Sequence, residues 1–357
     1  PIIAQMLAAH RGERHAIVLQ DFPDPDAISS AFAHRLISTG FNVEAHILYN
    51  GRISHQQNLA LVKLLGIDLL RHQPSVDLSQ YAGAVFVDNQ GTTCTEIVQA
   101  LETAKVPALL VVDHHALQER LKPEFSDIRR YGATATIYAD YLEHGLLELD
   151  KSRKEHVLVA TALMHGIITD TGGFTHAEAE DFHAASMLSR FRDAELLQQI
   201  MTQARTKQVM EIIRRALGDR VVVESYSITG VGYLRAEDRD TIPQVADFLL
   251  TEENVHTAIV YGIVKTNDQA EKLVGSLRTL KITLDPDEFI KEVFGRDEAG
   301  RFFGGGKLLA GGFEIPVGFL SGGHNDEYRN LKWQLYDNQI RQKIFAKIGV
   351  EPKPPAE

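Results

Sequence analysis

Asp24, Asp26, Asp88, His114 and Asp170 are the side chains of this 357-residue sequence best suited to holding metal. Four carboxylates and one imidazole make a hard oxygen donor set with a single nitrogen, which suits Mn²⁺ and related divalent ions. Four carboxylate charges balance two dications. With the ions roughly 3.5–4 Å apart, such a site can hold a bridging hydroxide and stabilise both the attacking and the leaving oxygen of an in-line displacement at phosphorus. An aspartate behind a strand also caps helices, and Asp24 and Asp26 stand just ahead of a helix expected from Ala27. Capping accounts for either residue singly, but not for a set that follows one apolar run after another.

The elements that must position these groups can be read from the patterning. Short β-branched runs at 16–19, 43–48, 84–87 and 108–112 alternate with helical patterns near 27–39, 54–65, 93–104 and 134–145. That alternation predicts a mostly parallel sheet covered by helices. Open sheets of this kind bind ligands beyond the carboxyl ends of their strands. There the chemistry collects: Asp21, Asp24 and Asp26 follow the first run, Asp88 the third, and Asp113, His114 and His115 the fourth. A further helical segment ends at Asp170, and the following Thr171-Gly172-Gly173 predicts a sharp turn that aims the carboxylate into a cleft.

The length suits two domains rather than one core. Residues 1–190 hold the acidic set, and 191–220, rich in charge, Gln and helix formers, read as a helical linker. The pattern restarts with strands within 221–228, 256–264 and 272–282 and helices near 242–251 and 286–294, which predicts a smaller mixed α/β domain over 221–345. Residues 346–357, ending in "EPKPPAE", read as a tail. The lone cysteine, Cys94, excludes an internal disulfide and favours a reducing, cytoplasmic setting. No apolar run approaches the roughly 18 residues of a membrane span, and no signal-peptide pattern is present, so no membrane association is expected. A formal charge of −11 argues against a broad surface for long duplex nucleic acid, which needs Lys and Arg, and leaves a small anionic substrate open.

Six stretches carry a family resemblance. "FPDPDAISSA", "VFVDNQ", "VVDHHA" and "GIITDTGGF" resemble the four ordered motifs of the DHH phosphoesterases, and "GSLRT" and "FGGGKLLAGGF" resemble substrate-binding elements of the accompanying DHHA1 domain. The overall pattern is most similar to that of nanoRNase and 3′-phosphoadenosine 5′-phosphate phosphatase proteins. The resemblance implies an α/β fold: an N-terminal DHH domain with a mostly parallel sheet and a smaller mixed α/β DHHA1-like domain. It implies that Asp24 and Asp88 hold one metal and that Asp26, His114 and Asp170 hold the other, with Asp88 bridging. Asp113 would orient an imidazole, His115 would face the phosphate, and a metal-bound hydroxide would attack phosphorus. Ser276 and Arg278 would bind substrate, the arginine through its planar fork, together with Gly304, Gly305, Gly306 and Lys307. Thr134 and Thr136 in "GATAT" read equally as site residues or as a helix start, whereas His165 and His176 read as ordinary helix or surface histidines.

Two positions depart from the family pattern. Its first motif runs His-x3-Asp-x-Asp, and aligning Asp24 and Asp26 puts Gln20 at the histidine position, with Asp21 beside it. An amide oxygen is neutral and a weaker donor to transition metals than imidazole. Lys307 stands where the family has a histidine; it can hold phosphate as a point charge but cannot stack. His324 in "SGGH" is left unassigned. Two functional classes follow. One is a Mn²⁺-dependent phosphoesterase, with Mg²⁺ the other ion accepted, acting on short oligonucleotides or small nucleotides. The alternative is a nucleotide-binding protein with weak or lost catalysis, because Gln20 and Lys307 replace family histidines. Members of the family commonly form homodimers, and no stretch of this sequence isolates an interface.

Overall fold

The computed structural model describes residues 2–53, 55–203, 205–265, 270–323 and 325–350. Ser54, at the start of one expected helix, lies outside them, as do His324 and the "EPKPPAE" segment. The chain forms two compact units, Pro1–Ala204 and Arg205–Glu357. No helix among the described residues is long and apolar enough to cross a membrane.

The first unit is built on six strands: β1 (Arg14–Val18), β2 (Glu44–Tyr49), β3 (Leu69–Arg71), β4 (Gly83–Val87), β5 (Ala108–Asp113) and β6 (Phe125–Ile128). They pair in the order β3-β2-β1-β4-β5-β6, every pair parallel. Among the described residues eight α-helices accompany them: α1 (Ile2–Ala9), α2 (Pro25–Gly40), α3 (Gln56–Leu65), α4 (Thr95–Thr103), α5 (Thr134–Glu143), α6 (Lys154–Asp170), α7 (Ala179–Ser189) and α8 (Ala194–Met201). A parallel strand between two helix layers is buried on both faces, and all five residues of β4 are buried. Ile17, Val85, Val87, Leu110 and Val112 pack into the core formed with α1, α2, α5 and α6, and Ala16, Val18, Ala84, Phe86 and Val111 pack on the α4 side. The four expected runs are β1, β2, β4 and β5. The two strands not anticipated, β3 and β6, are short and largely unburied, so they lack the apolar run that marks a strand.

Strand order reverses between β1 and β4, which opens a crevice at their carboxyl ends. Helix α2 leads away from that crevice, with Asp24 as its cap and Pro25 in its first turn. Helix α6 comes back to it and crosses α2 at Gly166. A Cβ there would stand 2.4 Å from Ser29 Oγ and 3.2 Å from Asp26 Cα, so this approach requires glycine.

The second unit holds β7 (Val221–Val223), β8 (Tyr226–Arg235), β9 (Thr257–Lys265), β10 (Glu271–Thr279), β11 (Gly304–Lys307) and β12 (Ala310–Pro316) in the order β11-β12-β10-β9-β8-β7. Among the described residues β8 and β9 pair in parallel and the other pairs are antiparallel. Helices α9 (Lys207–Asp219) and α10 (Thr241–Leu249) cover one face of β8–β10, and α11 (Pro286–Phe294) with α12 (Asp326–Ile348) covers the other. The mixed α/β class is as expected, with three differences in detail. The 221–228 run is a hairpin, because Glu224 and Ser225 both take positive φ and reverse the chain. Residues 191–220 form two helices: α8 buries Leu197 and Ile200 in the first unit's core, and α9 buries Val209, Ile212 and Ile213 in the second's. The segment from 346 is helical as far as Ile348, because Phe345 and Ile348 pack on the core that holds α12.

His34 on α2 is wholly buried, with Nδ1 2.9 Å from Tyr138 Oη, and burial pushes its pKa down to about 3, with nearby His15 adding to the effect. A depressed histidine favours the folded state fully above the unfolded pKa and loses that contribution as pH falls. Between pH 6.5 and 5 the wild type should therefore lose about 1.5 kcal/mol more unfolding free energy than His34→Gln. Chemical denaturation at both pH values measures this, and equal losses would contradict a neutral, buried His34.

Candidate metal centre

The acidic set converges at the β1/β4 crevice. Asp26, in the first turn of α2, is 1% exposed and accepts the backbone N–H groups of Thr134 and Ala135, both at 2.7 Å. Those are the first two residues of α5, whose cap residue Ala133 has no side chain to do this. Asp26 therefore caps a helix 108 residues away, with its charge on the positive end of that helix dipole. Asp88 follows β4 at φ +58°, a left-handed conformation that aspartate tolerates better than most residues. Its Oδ1 accepts Thr134 Oγ1 at 2.9 Å and lies 3.6 Å from His114 Nε2. His114 Nδ1 donates to the Tyr131 carbonyl at 3.0 Å, so Nε2 carries the lone pair; it stands 3.2 Å from Asp170 Oδ2. Asp26, His114 and Asp170 place ligand atoms within 4.8 Å of one another, as do Asp88, His114 and His115.

This crowding has electrostatic consequences. Burial first, then the charges of Asp170 and Asp24, raises the Asp26 pKa well above the carboxylate range, against the pull of its two backbone bonds. Burial and the charges of Asp26 and Asp24 likewise raise Asp88. Desolvation and the Asp24 charge push Asp170 up to about 7. Burial lowers His114, with His115 adding to the effect, which favours the neutral imidazole that metals bind. Among the described residues no Lys or Arg forms an ion pair with Asp24, Asp26, Asp88 or Asp170. Buried carboxylates without a basic partner, beside an imidazole lone pair, fit a divalent cation.

Asp113 is also wholly buried but behaves differently. Burial raises its pKa, yet hydrogen bonds from His115 and Gln90 outweigh that and leave it low. His115 Nδ1 donates to Asp113 Oδ1 at 2.8 Å and is 3.7 Å from Asp88 Oδ1. Asp24 serves both readings of its type: Oδ1 caps α2 through Ala27 N at 2.9 Å, and Oδ2 accepts Gln20 Nε2 at 3.2 Å. Gln20 thus reaches the cluster, through its amide N–H. Asp21 Oδ1 is buried with no hydrogen-bond partner, and burial, then the Glu96 charge, raises the pKa of this carboxyl. Thr134 belongs to the cluster, whereas Thr136 donates to Asp181 at 2.5 Å, away from it. His165 is buried with neither nitrogen hydrogen-bonded, and His176 is exposed.

Gln90 and Asp181 escaped the sequence reading. Gln90 donates to Asp113 at 2.7 Å and stands inside the quoted "VFVDNQ" stretch. Asp181 accepts Gly132 N and Thr136 Oγ1 and so fixes the entry to α5; its partners lie 49 and 45 residues away, and no local pattern announces it.

In the second unit, β-ladder register sets Arg278 opposite Ala310 and Ala310 opposite Lys307, and sets Ser276 opposite Gly312 and Gly312 opposite Gly305. Directly paired residues share a face, so Ser276, Arg278 and Lys307 lie on one side of the sheet with only small residues between them. Arg278 donates to Asp247 at 3.0 Å and to Ser276 Oγ at 2.9 Å, and Lys307 is exposed. A cavity of about 340 Å³ beside them is lined by Arg239, Val274, Phe303, Gly304, Gly312 and Glu314 among others. The three glycines have packing reasons of their own. A Cβ would meet Gly312 O at 2.2 Å from Gly304, Asp287 Oδ1 at 2.7 Å from Gly305 and Ala310 O at 2.8 Å from Gly306. The Gly306 N–H is already donated to Asp287 at 3.0 Å.

A solved structure of an exopolyphosphatase-related protein from Bacteroides fragilis is similar to this chain with a TM-score of 0.66 and 17% identity, over 94% of this chain and 98% of that one. RecJ from Thermus thermophilus, solved in complex with Mn²⁺, is similar with a TM-score of 0.50 and 14% identity, over 99% of this chain and 55% of RecJ. The chain shares the fold of these two proteins, in the α/β class that its motifs implied. In sequence it is 32% identical over 332 residues to the uncharacterized protein MJ1633 of Methanocaldococcus jannaschii, covering 92% of this chain and 63% of that protein's length. No protein-family model matches the chain.

A cation entering the cluster must displace the protons that crowding retains on these carboxyls. Mn²⁺ affinity should rise with pH through the Asp170 value of about 7, with Asp170→Asn both weakening binding and flattening the profile there. Mn²⁺ titrations between pH 5.5 and 8.5 measure this; a flat wild-type profile would contradict it.

Proposed function

We propose that this protein is a metal-dependent phosphoesterase that hydrolyses phosphate esters in short oligonucleotides or small nucleotides. The observation that carries the reading is the set of carboxylates without a Lys or Arg partner around the His114 Nε2 lone pair at the strand-order reversal, with Asp26 and Asp88 buried and Asp24 and Asp170 open to solvent. Asp24, Asp26, Asp88, His114 and Asp170 would hold Mn²⁺ or Mg²⁺. Such ions supply Lewis acidity, acidifying water and neutralising charge that builds on a phosphoryl group.

The chain's own groups do the rest. Asp113 accepts the His115 Nδ1 proton, which fixes the tautomer in which Nε2 exchanges protons. Protonated there, His115 stabilises charge developing on the phosphate. Gln90 keeps Asp113 in place and Thr134 orients Asp88. In the second unit, the Ser276, Arg278 and Lys307 face would bind a substrate phosphate, with Arg278 held ready by Asp247. The glycine run would line this subsite. A homodimer, which the family resemblance implies, and a cytoplasmic location, which the lone cysteine favours, belong to the same proposal.

The second reading, nucleotide binding with weak catalysis, draws support from Gln20, whose amide donates to Asp24 instead of offering the position an imidazole lone pair. Two substitutions separate the readings. Asp88→Asn should lower metal occupancy and slow hydrolysis of dinucleotides, 3′-phosphoadenosine 5′-phosphate or pyrophosphate by about 10³-fold while leaving the fold intact. Wild-type turnover that is absent on the whole panel, or unchanged in a folded Asp88→Asn protein, would overturn the phosphoesterase reading. Gln20→His should tighten Mn²⁺ binding by about 10-fold and raise activity chiefly when metal is scarce; an unchanged titration would remove Gln20 from the metal site.

A further inference from the structure

The connection between α1 and β1 carries a second group of metal-ligating side chains, at the amino end of the strand and so away from the acidic cluster. His10 Nδ1 lies 2.8 Å and His15 Nε2 3.2 Å from the same oxygen, Glu13 Oε2. All three donor atoms fall within 4.8 Å of one another. The backbone holds them there: Gly12 turns at φ +84° and donates to Asn42 O at 2.8 Å, Glu13 N donates to His10 O at 3.2 Å, and Glu13 O accepts Glu44 N at 3.0 Å. His15 is wholly buried, and by strand alternation it faces the same side as Ile17, which packs with Ile3, Met6 and Leu7 of α1. His10 and Glu13 are partly exposed, which gives an ion a way in.

We propose that His10, Glu13 and His15 form a Zn²⁺ site, distinct from the acidic centre and independent of the phosphoesterase reading. Two imidazoles and one carboxylate, with water in the fourth position, are a donor set that zinc takes. With more nitrogen than oxygen among the ligands, the site favours zinc over Mg²⁺ or Ca²⁺. Bonds of about 2.0–2.2 Å in tetrahedral geometry place donors roughly 3.3 Å apart, close to the two histidine–glutamate separations of 2.8 and 3.2 Å. In the metal-free arrangement each imidazole donates an N–H to Glu13. On binding, each ring keeps its proton by moving it to its other nitrogen, and the ligating nitrogen turns its lone pair to the ion. For His10 that other nitrogen, Nε2, lies 3.9 Å from Glu124 Oε2, and a small movement of the glutamate would bring it into hydrogen-bond range to orient the metal-bound ring. For His15 it is Nδ1, which has no hydrogen-bond partner that would fix the opposite tautomer. A bound ion would join the end of α1 to β1 and so hold α1 on the sheet.

Equilibrium dialysis of the full chain against Zn²⁺, with Mg²⁺ in excess to compete at the acidic centre, tests this. The wild type should bind one more equivalent of Zn²⁺ than either His10→Gln or Glu13→Gln, and each variant should lose about 100-fold or more in affinity for that equivalent. Zn²⁺ should raise the melting temperature of the wild type more than that of either variant. Both substitutions fall at partly exposed positions, and circular dichroism checks that the variants fold. Equal stoichiometry and equal thermal shifts in the folded variants and the wild type would overturn the proposal.

Discussion

The Asp26 carboxylate on the amino end of α5 is the interaction on which the first unit's site depends. Burying several carboxylates together is costly, and here the cost is offset locally: two backbone N–H groups take Asp26, and the hydroxyl on the same turn takes Asp88. One turn of one helix therefore sets two of the proposed ligands. That arrangement dictates much of the surrounding structure. Helix α6 must approach α2 at a glycine, β4 must end in a left-handed residue, and Asp181 must hold the entry to α5.

Charge left over after these bonds is what makes the cluster chemically useful. Asp113 lies as deep as Asp26 and Asp88, yet His115 and Gln90 hold its pKa low while those two are raised. All three accept hydrogen bonds, but Asp113 has the His115 imidazole beside it, whereas burial and the charges of neighbouring carboxylates act together on Asp26 and Asp88. A site divided in this way separates a residue hydrogen-bonded to an imidazole from the residues proposed to take a cation. The second unit solves a different problem, bringing two cations and a serine onto one sheet face, by placing glycine or alanine at each intervening ladder position.

Much of this was legible in the sequence because the site lies where strands end. The apolar runs marked β1, β4 and β5, so the aspartates behind them could be expected to meet, and the glycines after Asp170 marked its turn. What was not legible depends on distant partners. Thr134 reads as an ordinary helix start until Asp26 and Asp88 are placed against it, and Asp181 gives no local sign at all. The edge strands β3 and β6 carry too little buried surface to show a pattern. The glycine run reads as an anion cradle, whereas the close approaches of Gly312 O, Asp287 and Ala310 O give each glycine a packing reason as well.

The central claim is that the Asp26, Asp88, His114 and Asp170 cluster is a metal centre serving phosphate chemistry. Crystals grown with Mn²⁺ and soaked with a nonhydrolysable dinucleotide, with anomalous differences collected at the manganese edge, test it most directly. The account predicts manganese peaks bounded by those side chains and Asp24, with a substrate phosphate beside them and near His115. Ordered dinucleotide with no anomalous peak at the cluster, or manganese bound only elsewhere, would contradict it.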